Sequence, residues 1–390
     1  MFNLTKEELK LKSAIHTANE IHQQPEVWQE LFASLAEQKN TLNEFIDSIY
    51  QKHKQVRVIF TGAGTSAFAG DTLVPELRRQ NQSNVQYEAI ATTDIVSNPT
   101  TYLFPEAPTI MVSFARSGNS PESVAAVSLG EKLINDFYQV IITCNPEGQL
   151  AKDVKDDSNS RMVSLPEKAH DQGFAMTSSF TSMIIAGYTL FTENEFTARE
   201  AELLIGSAAQ LRDSLPDMVD DVLKFNFNRI VYLGSGLLSQ LSHEASLKML
   251  ELSGGQVAAI HESSLGFRHG PKSILNEDSI TVLFMSRDTY TRKYDLDILR
   301  ELAADDSGMK VVALTEEKDQ EVEGLADWTI TVNDSQTKFA NDFQLALLYI
   351  IFAQTLALKK SLQLGITPDN PSPDGRVNRV VQGVTIYDYA

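Results

Sequence analysis

Short runs of β-branched and other apolar residues punctuate the chain from residue 56 onward, separated by longer stretches with apolar residues at helical spacing. The runs are RVIFTG, TIMVSF, QVIITC and RMVSL, then RIVYLG, ITVLFM, KVVALT and WTITV. Runs that are apolar on both faces predict strands buried between two layers of helix, the organisation of a parallel-sheet α/β protein. Residues 1–50 differ from the rest. They hold one proline and no glycine, and their apolar residues recur at helical spacing. Two helices are predicted there, forming an N-terminal cap or a dimerisation element.

The eight runs form two sets of four. Gly62-Ala63-Gly64 and Gly234-Ser235-Gly236 each end the first run of a set and open a helix, 172 residues apart. The same shift carries TIMVS at 109–113 onto TVLFM at 281–285, and QVIIT at 139–143 onto VVALT at 311–315. After the fourth run each set is followed by a long apolar helix, Thr177–Phe191 and Asn341–Leu358. The fold class expected is therefore α/β, as two tandem doubly wound, flavodoxin-like parallel-sheet domains behind a helical segment. The expected boundaries are 1–50 for the segment, 51–205 for the first domain and 206–390 for the second with its tail. A chain of 390 residues suits this, since domains usually run to roughly 100–200 residues.

Charge narrows the partners. The net charge is −19 at pH 7, and a field of that sign repels nucleic acid and anionic lipid. It also repels a phosphorylated metabolite, which local donors must then hold. Cys144, the sole cysteine, ends the apolar run VIITC. That excludes a disulfide framework and suggests a buried strand-end thiol. The seven histidines show no His-x-x-x-His or His-Glu-x-x-His spacing, so nothing points to a metal or other cofactor. The N-terminus alternates charged and apolar residues without the apolar core of a signal peptide. The longest apolar stretches, Met183–Phe191 and Leu345–Ala353, are about half a membrane span and read as buried helices. A cytoplasmic protein is expected.

Ligands of open parallel sheets bind beyond the carboxyl ends of the strands. The first run ends there in Thr61-Gly62-Ala63-Gly64-Thr65-Ser66, where Gly64 permits a tight turn and the helix amides face an anion. By itself this turn is as often merely a turn. It is not a dinucleotide fingerprint, because GAGTSAFAG lacks the third glycine at the required spacing and no acidic residue ends the next strand, VQYEAIAT. The second run continues through Ser113 into Ala115-Arg116-Ser117-Gly118-Asn119-Ser120-Pro121-Glu122-Ser123. Hydroxyls from Ser117 and Ser120, backbone amides and Arg116 make a phosphate cradle that needs no net positive charge. The plainer alternative is that Ser120 only caps the helix that Pro121 begins. The second set has Ser286-Arg287-Asp288-Thr289 at this place, so one half alone is expected to hold phosphate.

The second half specialises elsewhere, in HEASLKMLELSGGQVAAIHESSLGFRHGP. Glu244, Lys248 and Glu251 stand at i, i+4 and i+7, on one helix face. The default for such a trio is a solvated surface pair supporting its helix slightly. After Ser253-Gly254-Gly255 comes a loop with Glu262, then His269-Gly270-Pro271. A carboxylate base and an imidazole are the groups that proton transfer between adjacent carbons and sugar-ring opening require. A histidine before Gly-Pro is otherwise an ordinary loop residue.

These motifs resemble the SIS (sugar isomerase) family over about residues 50–390. SFARSGNSPES looks like its phosphate-binding serine loop and GAGTS like its first phosphosugar turn. EASLKMLELS…FRHGP is similar to the isomerase domain of glucosamine-6-phosphate synthase. The tail DNPSPDGRVNRVVQGVTIY looks most like the AgaS-type branch, the tagatose-6-phosphate ketose/aldose isomerase or galactosamine-6-phosphate deaminase group. The resemblance implies phosphate contacts from Ser117 and Ser120, with Thr65 and Ser66 near the sugar. It implies Glu251 as the base between C2 and C1, and Lys248 beside it. It implies His269 in ring opening, reaching the site from a neighbouring subunit, and hence a homodimer with shared sites. The synthase's glutamine amidotransferase domain is not seen here, where the chain begins Met1-Phe2-Asn3, so a degradative, ammonia-releasing direction is expected. Gln382 falls where the synthase has a tail lysine at the sugar, which puts Schiff-base chemistry there in doubt.

Four readings stay open at this level. A 2-amino aldose phosphate gives ketose phosphate and ammonia; a 2-hydroxy aldose phosphate gives the ketose alone, and a deglycase acting on sugar-amine adducts would use the same base. A sugar-phosphate sensor would need the serine loop without Glu251 and His269.

Overall fold

The computed structural model describes residues 1–390 except 81–83, 194, 195, 382 and 390. Among the described residues three helices open the chain: α1 (Lys6–Leu11), α2 (Ile15–His22) and α3 (Gln24–Lys52). Sequence spacing predicts two. The extra break arises at Ser13, which takes a positive φ of 47°, while a Thr5–Glu8 capping box starts α1 on its own. Pro25, in the first turn of α3, separates that helix from α2.

Strands and helices then alternate. The first set is β1 (Val56–Thr61), α4 (Thr65–Arg79), β2 (Val85–Ala89), α5 (Thr92–Ser97), α6 (Pro99–Tyr102), β3 (Thr109–Ala115), α7 (Pro121–Leu133), β4 (Phe137–Thr143), α8 (Gln149–Asp153), β5 (Ser160–Ser164) and α9 (Ser178–Phe191). A connecting helix, α10 (Ala198–Val222), follows. The second set is β6 (Arg229–Gly234), α11 (Leu237–Leu252), β7 (Ala258–Ser263), β8 (Ser279–Phe284), α12 (Thr291–Ala303), β9 (Lys310–Thr315), α13 (Gln320–Leu325), β10 (Trp328–Thr331) and α14 (Asp342–Gln363). The orders are β2-β1-β3-β4-β5 and β7-β6-β8-β9-β10, one topology used twice. Every pairing is parallel.

β1, β3 and β8 are buried at every position, as their unbroken apolar runs require. β7 corrects the sequence reading, which has a loop there. It lies at the sheet edge beside β6 with mostly half-buried residues, so AAIHES carries no apolar run to betray it. The repeat offset needs a small correction too. Arg57 pairs with Thr109, and Arg229 with Ser279, so positions 57 and 229 differ by 172 but 109 and 279 by 170. The connection into β8 is two residues shorter than its counterpart. The shift returns to 172 at β4 and β9, where Met111 pairs with Gln139 and Thr281 with Val311.

By packing, the chain divides into two compact units. One is Met1–Pro25, Gln172–Thr177 and Thr197–Arg376; the other is Glu26–Asp171, Ser178–Phe196 and Val377–Ala390. The ends are thus exchanged relative to division at residues 50 and 205: the first 25 residues pack with the second sheet, and the tail past Arg376 with the first. Within the former unit the Asp369 carboxylate accepts the N–H groups of His16 and Thr17 and the Thr17 hydroxyl. α14 is long and apolar enough to cross a membrane, but 94% of its most apolar window is buried inside the protein. It is a core helix, packed on α11.

Candidate active site

In the first sheet the chain reverses its direction of winding between β1 and β3, and the crevice at their carboxyl ends is where such folds bind ligands. Thr61 ends β1 directly opposite Ser113 on β3. Both are buried, and among the described residues neither hydroxyl has a hydrogen-bond partner. Each unpaired hydroxyl costs on the order of 1–3 kcal/mol, a cost that a bound polar group would remove. They share a strand face with Ile59 and Met111, which pack in a cluster with Ala126 and Val127 of α7. The register counterparts in the second sheet are Leu233 and Leu283. Two leucines there fill what two hydroxyls line here.

Gly64 caps α4 with φ 57°, matched by Gly236 before α11 with φ 59°. Only glycine adopts this conformation without strain. Because both halves keep it, the Gly-x-Gly turn belongs to the fold; Thr65 and Ser66, buried in the first turn of α4, are what distinguish the first half. The serine loop joins β3 to α7. Its carbonyls and side chains are tied from the far side: Asn145 Nδ2 donates to Ser117 O at 2.8 Å, the N–H of Leu150 to Gly118 O at 3.1 Å, and the N–H of Gln149 to Asn119 Oδ1 at 2.9 Å. Gly118 has φ 69°, and an added Cβ would sit 3.3 Å from Gly148 Cα. Asn119 therefore spends its side chain on the loop. Ser120 stands at the N-cap of α7 but makes no side-chain capping bond, so it is not the simple cap. Arg116 donates to the carbonyl of Arg379 at 2.8 Å, drawing the tail against the loop. Arg379 in turn donates to the carbonyl of Asp171. Half-buried His170 beside them is held below its ordinary pKa by burial, then by Arg379 and Arg116.

In the second sheet, α11 carries the other candidate group. Glu244 and Lys248 are completely buried, not a solvated surface pair. Lys248 Nζ lies 2.5 Å from Glu251 Oε2 and 3.4 Å from Glu244 Oε1. Two carboxylates offset the cost of removing the ammonium from water. Glu251 keeps 22% of its side chain exposed, so the trio ends in one residue that is not sealed from solvent. The charge-assisted bond from Lys248 fixes its orientation.

His269 is exposed and makes no hydrogen bond to Lys248 or Glu251. Its loop is firmly held on either side. Arg268 pairs with Glu301 at 2.5 Å and Asp297 at 2.9 Å, and Lys272 with Glu301 at 2.8 Å. Glu262, on β7, accepts the N–H of Ser263 and stays local. Sequence reasoning missed the stacked pair His243 and His261, with ring centroids 3.9 Å apart. It joins α11 to β7 and becomes visible only once β7 is known to be a strand. Thr61 was likewise missed; its signal lay in the leucine at the equivalent repeat position. Gln382 lies outside the described residues.

The SIS domain model matches residues 49–193 and 225–360, one match on each sheet. D-galactosamine-6-phosphate deaminase AgaS of Shewanella sp. (strain ANA-3) is 40% identical over 390 residues, 99% of this chain and 95% of that protein. The crystal structure of tagatose-6-phosphate ketose/aldose isomerase from Escherichia coli superposes with a TM-score of 0.84 at 36% identity, covering 96% of this chain and 97% of the other. The C-terminal domain of glucosamine-fructose-6-phosphate aminotransferase from Francisella tularensis, 19% identical, shares the fold with a TM-score of 0.69 over 91% of this chain and 98% of its own. With both sheets matched and full-length relatives near 40% identity, this chain belongs to the SIS domain family, in its AgaS-like group.

Proposed function

We propose that this protein is a sugar-phosphate deaminase and isomerase that converts galactosamine 6-phosphate and water to tagatose 6-phosphate and ammonia. The observation that carries the reading is the partly exposed Glu251 carboxylate clamped by a buried lysine. A base gripped in one orientation is what proton transfer between adjacent carbons demands. The choice of substrate follows the AgaS-like relatives.

The phosphate sits against Ser117, Ser120 and the amides that open α7, with Gly64, Thr65, Ser66 and Ser113 lining the same crevice. His269 assists ring opening. Glu251 takes the C2 proton of the open aldehyde form, leaving an enaminol, and returns a proton to C1. The resulting ketimine at C2 adds water and loses ammonia, giving the ketose. Lys248 orients Glu251 and takes no proton. The protein acts in the cytoplasm as a homodimer.

Glu251→Gln keeps the shape and removes the base, so turnover falls by about 10²–10⁴ with little change in substrate affinity. Exchange of the C2 proton with solvent disappears with it. Activity near wild type in that variant refutes the assignment. Ser117→Ala/Ser120→Ala mainly raises KM, because phosphate contacts act on ground and transition states alike; an unchanged KM places the cradle elsewhere. The E. coli structure's name favours a second reading, ketose–aldose isomerisation without deamination. Interconversion of aldose and ketose phosphates with no ammonia released selects it. Binding of sugar phosphates without any turnover selects a sensor.

A further inference from the structure

The two halves put different things in one place. Shared backbone bonds fix the correspondence: the N–H of Thr92 donates to Gly62 O at 2.8 Å, and that of Ser264 to Gly234 O at 2.8 Å. The buried faces of α7 and α12 align as well. Ser123, Ala126, Val127 and Gly130 match Asp295, Ile298, Leu299 and Leu302, each pair 172 residues apart. In the first half Ser123 holds the position of Asp295, next to buried Glu122 and just after the loop bearing Ser117 and Ser120. In the second that face begins with an aspartate that is fully buried.

The Asp295 carboxylate gathers donors from the ends of three strands. Ser235, after β6, and Ser264, after β7, donate their hydroxyls to Oδ1 at 2.6 Å and 2.7 Å; the N–H of Ser286, after β8, donates to Oδ2 at 2.9 Å. Hydroxyls and an amide converging on an anion at the carboxyl ends of parallel strands are what an external phosphate would require there. We propose that the Asp295 carboxylate is a built-in ligand, filling the second half's counterpart of the phosphate pocket, so that the fold carries a second anion site occupied from within.

The surroundings agree. The Ser286 hydroxyl and the N–H of Arg287 turn to Asp342 at 2.5 Å and 2.8 Å. Arg292, the counterpart of Ser120, crosses to Asp319 at 2.6 Å. Leu233 and Leu283 replace the hydroxyls of Thr61 and Ser113. Each change satisfies the second site internally, and the chain then takes one sugar phosphate.

The test is Asp295→Ser, which gives the second half the residue of the first. Inorganic phosphate is titrated calorimetrically into the full chain carrying Ser117→Ala/Ser120→Ala, with and without Asp295→Ser. The added substitution should create one saturable site per chain, and phosphate should raise the Tm of that variant more than chloride at equal ionic strength. The comparison rests on the proposed cradle only for position. If phosphate still binds with Asp295 intact, the cradle assignment fails, and the inference is judged by the increment of one site above that baseline. A folded Asp295→Ser variant with no added site overturns the inference. Asp295→Asn fills the same volume with an amide and should gain no site; a site gained there overturns it too. Should Asp295→Ser not accumulate, its refolding yield in phosphate against chloride decides: recovery dependent on phosphate supports the inference, and equal yields overturn it.

Discussion

At the scale of single residues, the decisive fact is where charge has been buried. An i, i+4 Glu–Lys pair reads the same in sequence whether water or another helix lies against it. Here α14 packs on α11, and Glu244 and Lys248 lose all contact with solvent. Removing one member of a buried pair leaves the other uncompensated, at a cost of about 3–5 kcal/mol, whereas replacing both with apolar groups is often neutral. Lys248→Met should therefore lower the melting temperature sharply and abolish turnover. Adding Glu244→Leu should restore much of the stability while leaving the enzyme inactive, since Glu251 has still lost its clamp. Calorimetric melting and the ammonia assay, run on the same three proteins, separate these effects. If the double variant regains activity, Lys248 is only a structural lysine.

At the scale of elements, the buried strands were legible, as were the edge strands β5 and β10 in RMVSL and WTITV, but the edge strand β7 was not. β1, β3 and β8 announce themselves because both of their faces are covered; β7 does not, because a half-buried edge strand has no need of an apolar run. The serine loop and the trio on α11 were legible as motifs, since their spacing fixes which side chains share a turn or a face. Burial, and the tying of Asn119 and Arg116 to other segments, depend on contacts distant in sequence and leave no local pattern. The His243–His261 stack is a consequence of the same kind, linking α11 to the strand that was missed. Burial chiefly, and His261 secondarily, push the His243 imidazole down to about 4. An unfolded chain titrates it near 6.5. Between those values the unfolded chain binds a proton that the folded chain refuses, so stability falls as the pH drops through that window. His243→Gln should flatten this part of the profile, with a melting temperature that declines less than the wild type's between about pH 7 and pH 5. Parallel profiles would show that the stack does not sense protons.

At the scale of the molecule, one fold used twice has been specialised by filling one copy and opening the other. The first half leaves the Thr61 and Ser113 hydroxyls without partners among the described residues at its switch point; the second ties Ser235 and Ser264 to Asp295 and carries the proposed base, Glu251, on α11. A single chain still leaves one part of the proposed machinery unused. His269 is exposed and bonds to neither Lys248 nor Glu251, although ion pairs on both sides hold its loop in place. A rigid loop presenting an unengaged imidazole suits delivery to a second copy, and cyclic symmetry makes such delivery reciprocal. In a dimer of this kind each site draws Glu251 from one subunit and His269 from the other. Glu251→Gln and His269→Asn proteins should each be nearly inactive alone. Mixed and allowed to exchange subunits, they form heterodimers in which one site has lost both groups and the other has kept both. With equal amounts and random pairing, half the dimers are mixed and activity should recover to about a quarter of wild type. Recovery should follow the rate of subunit exchange and vanish when the subunits are cross-linked before mixing. No recovery after verified exchange would place Glu251 and His269 of each site in the same chain.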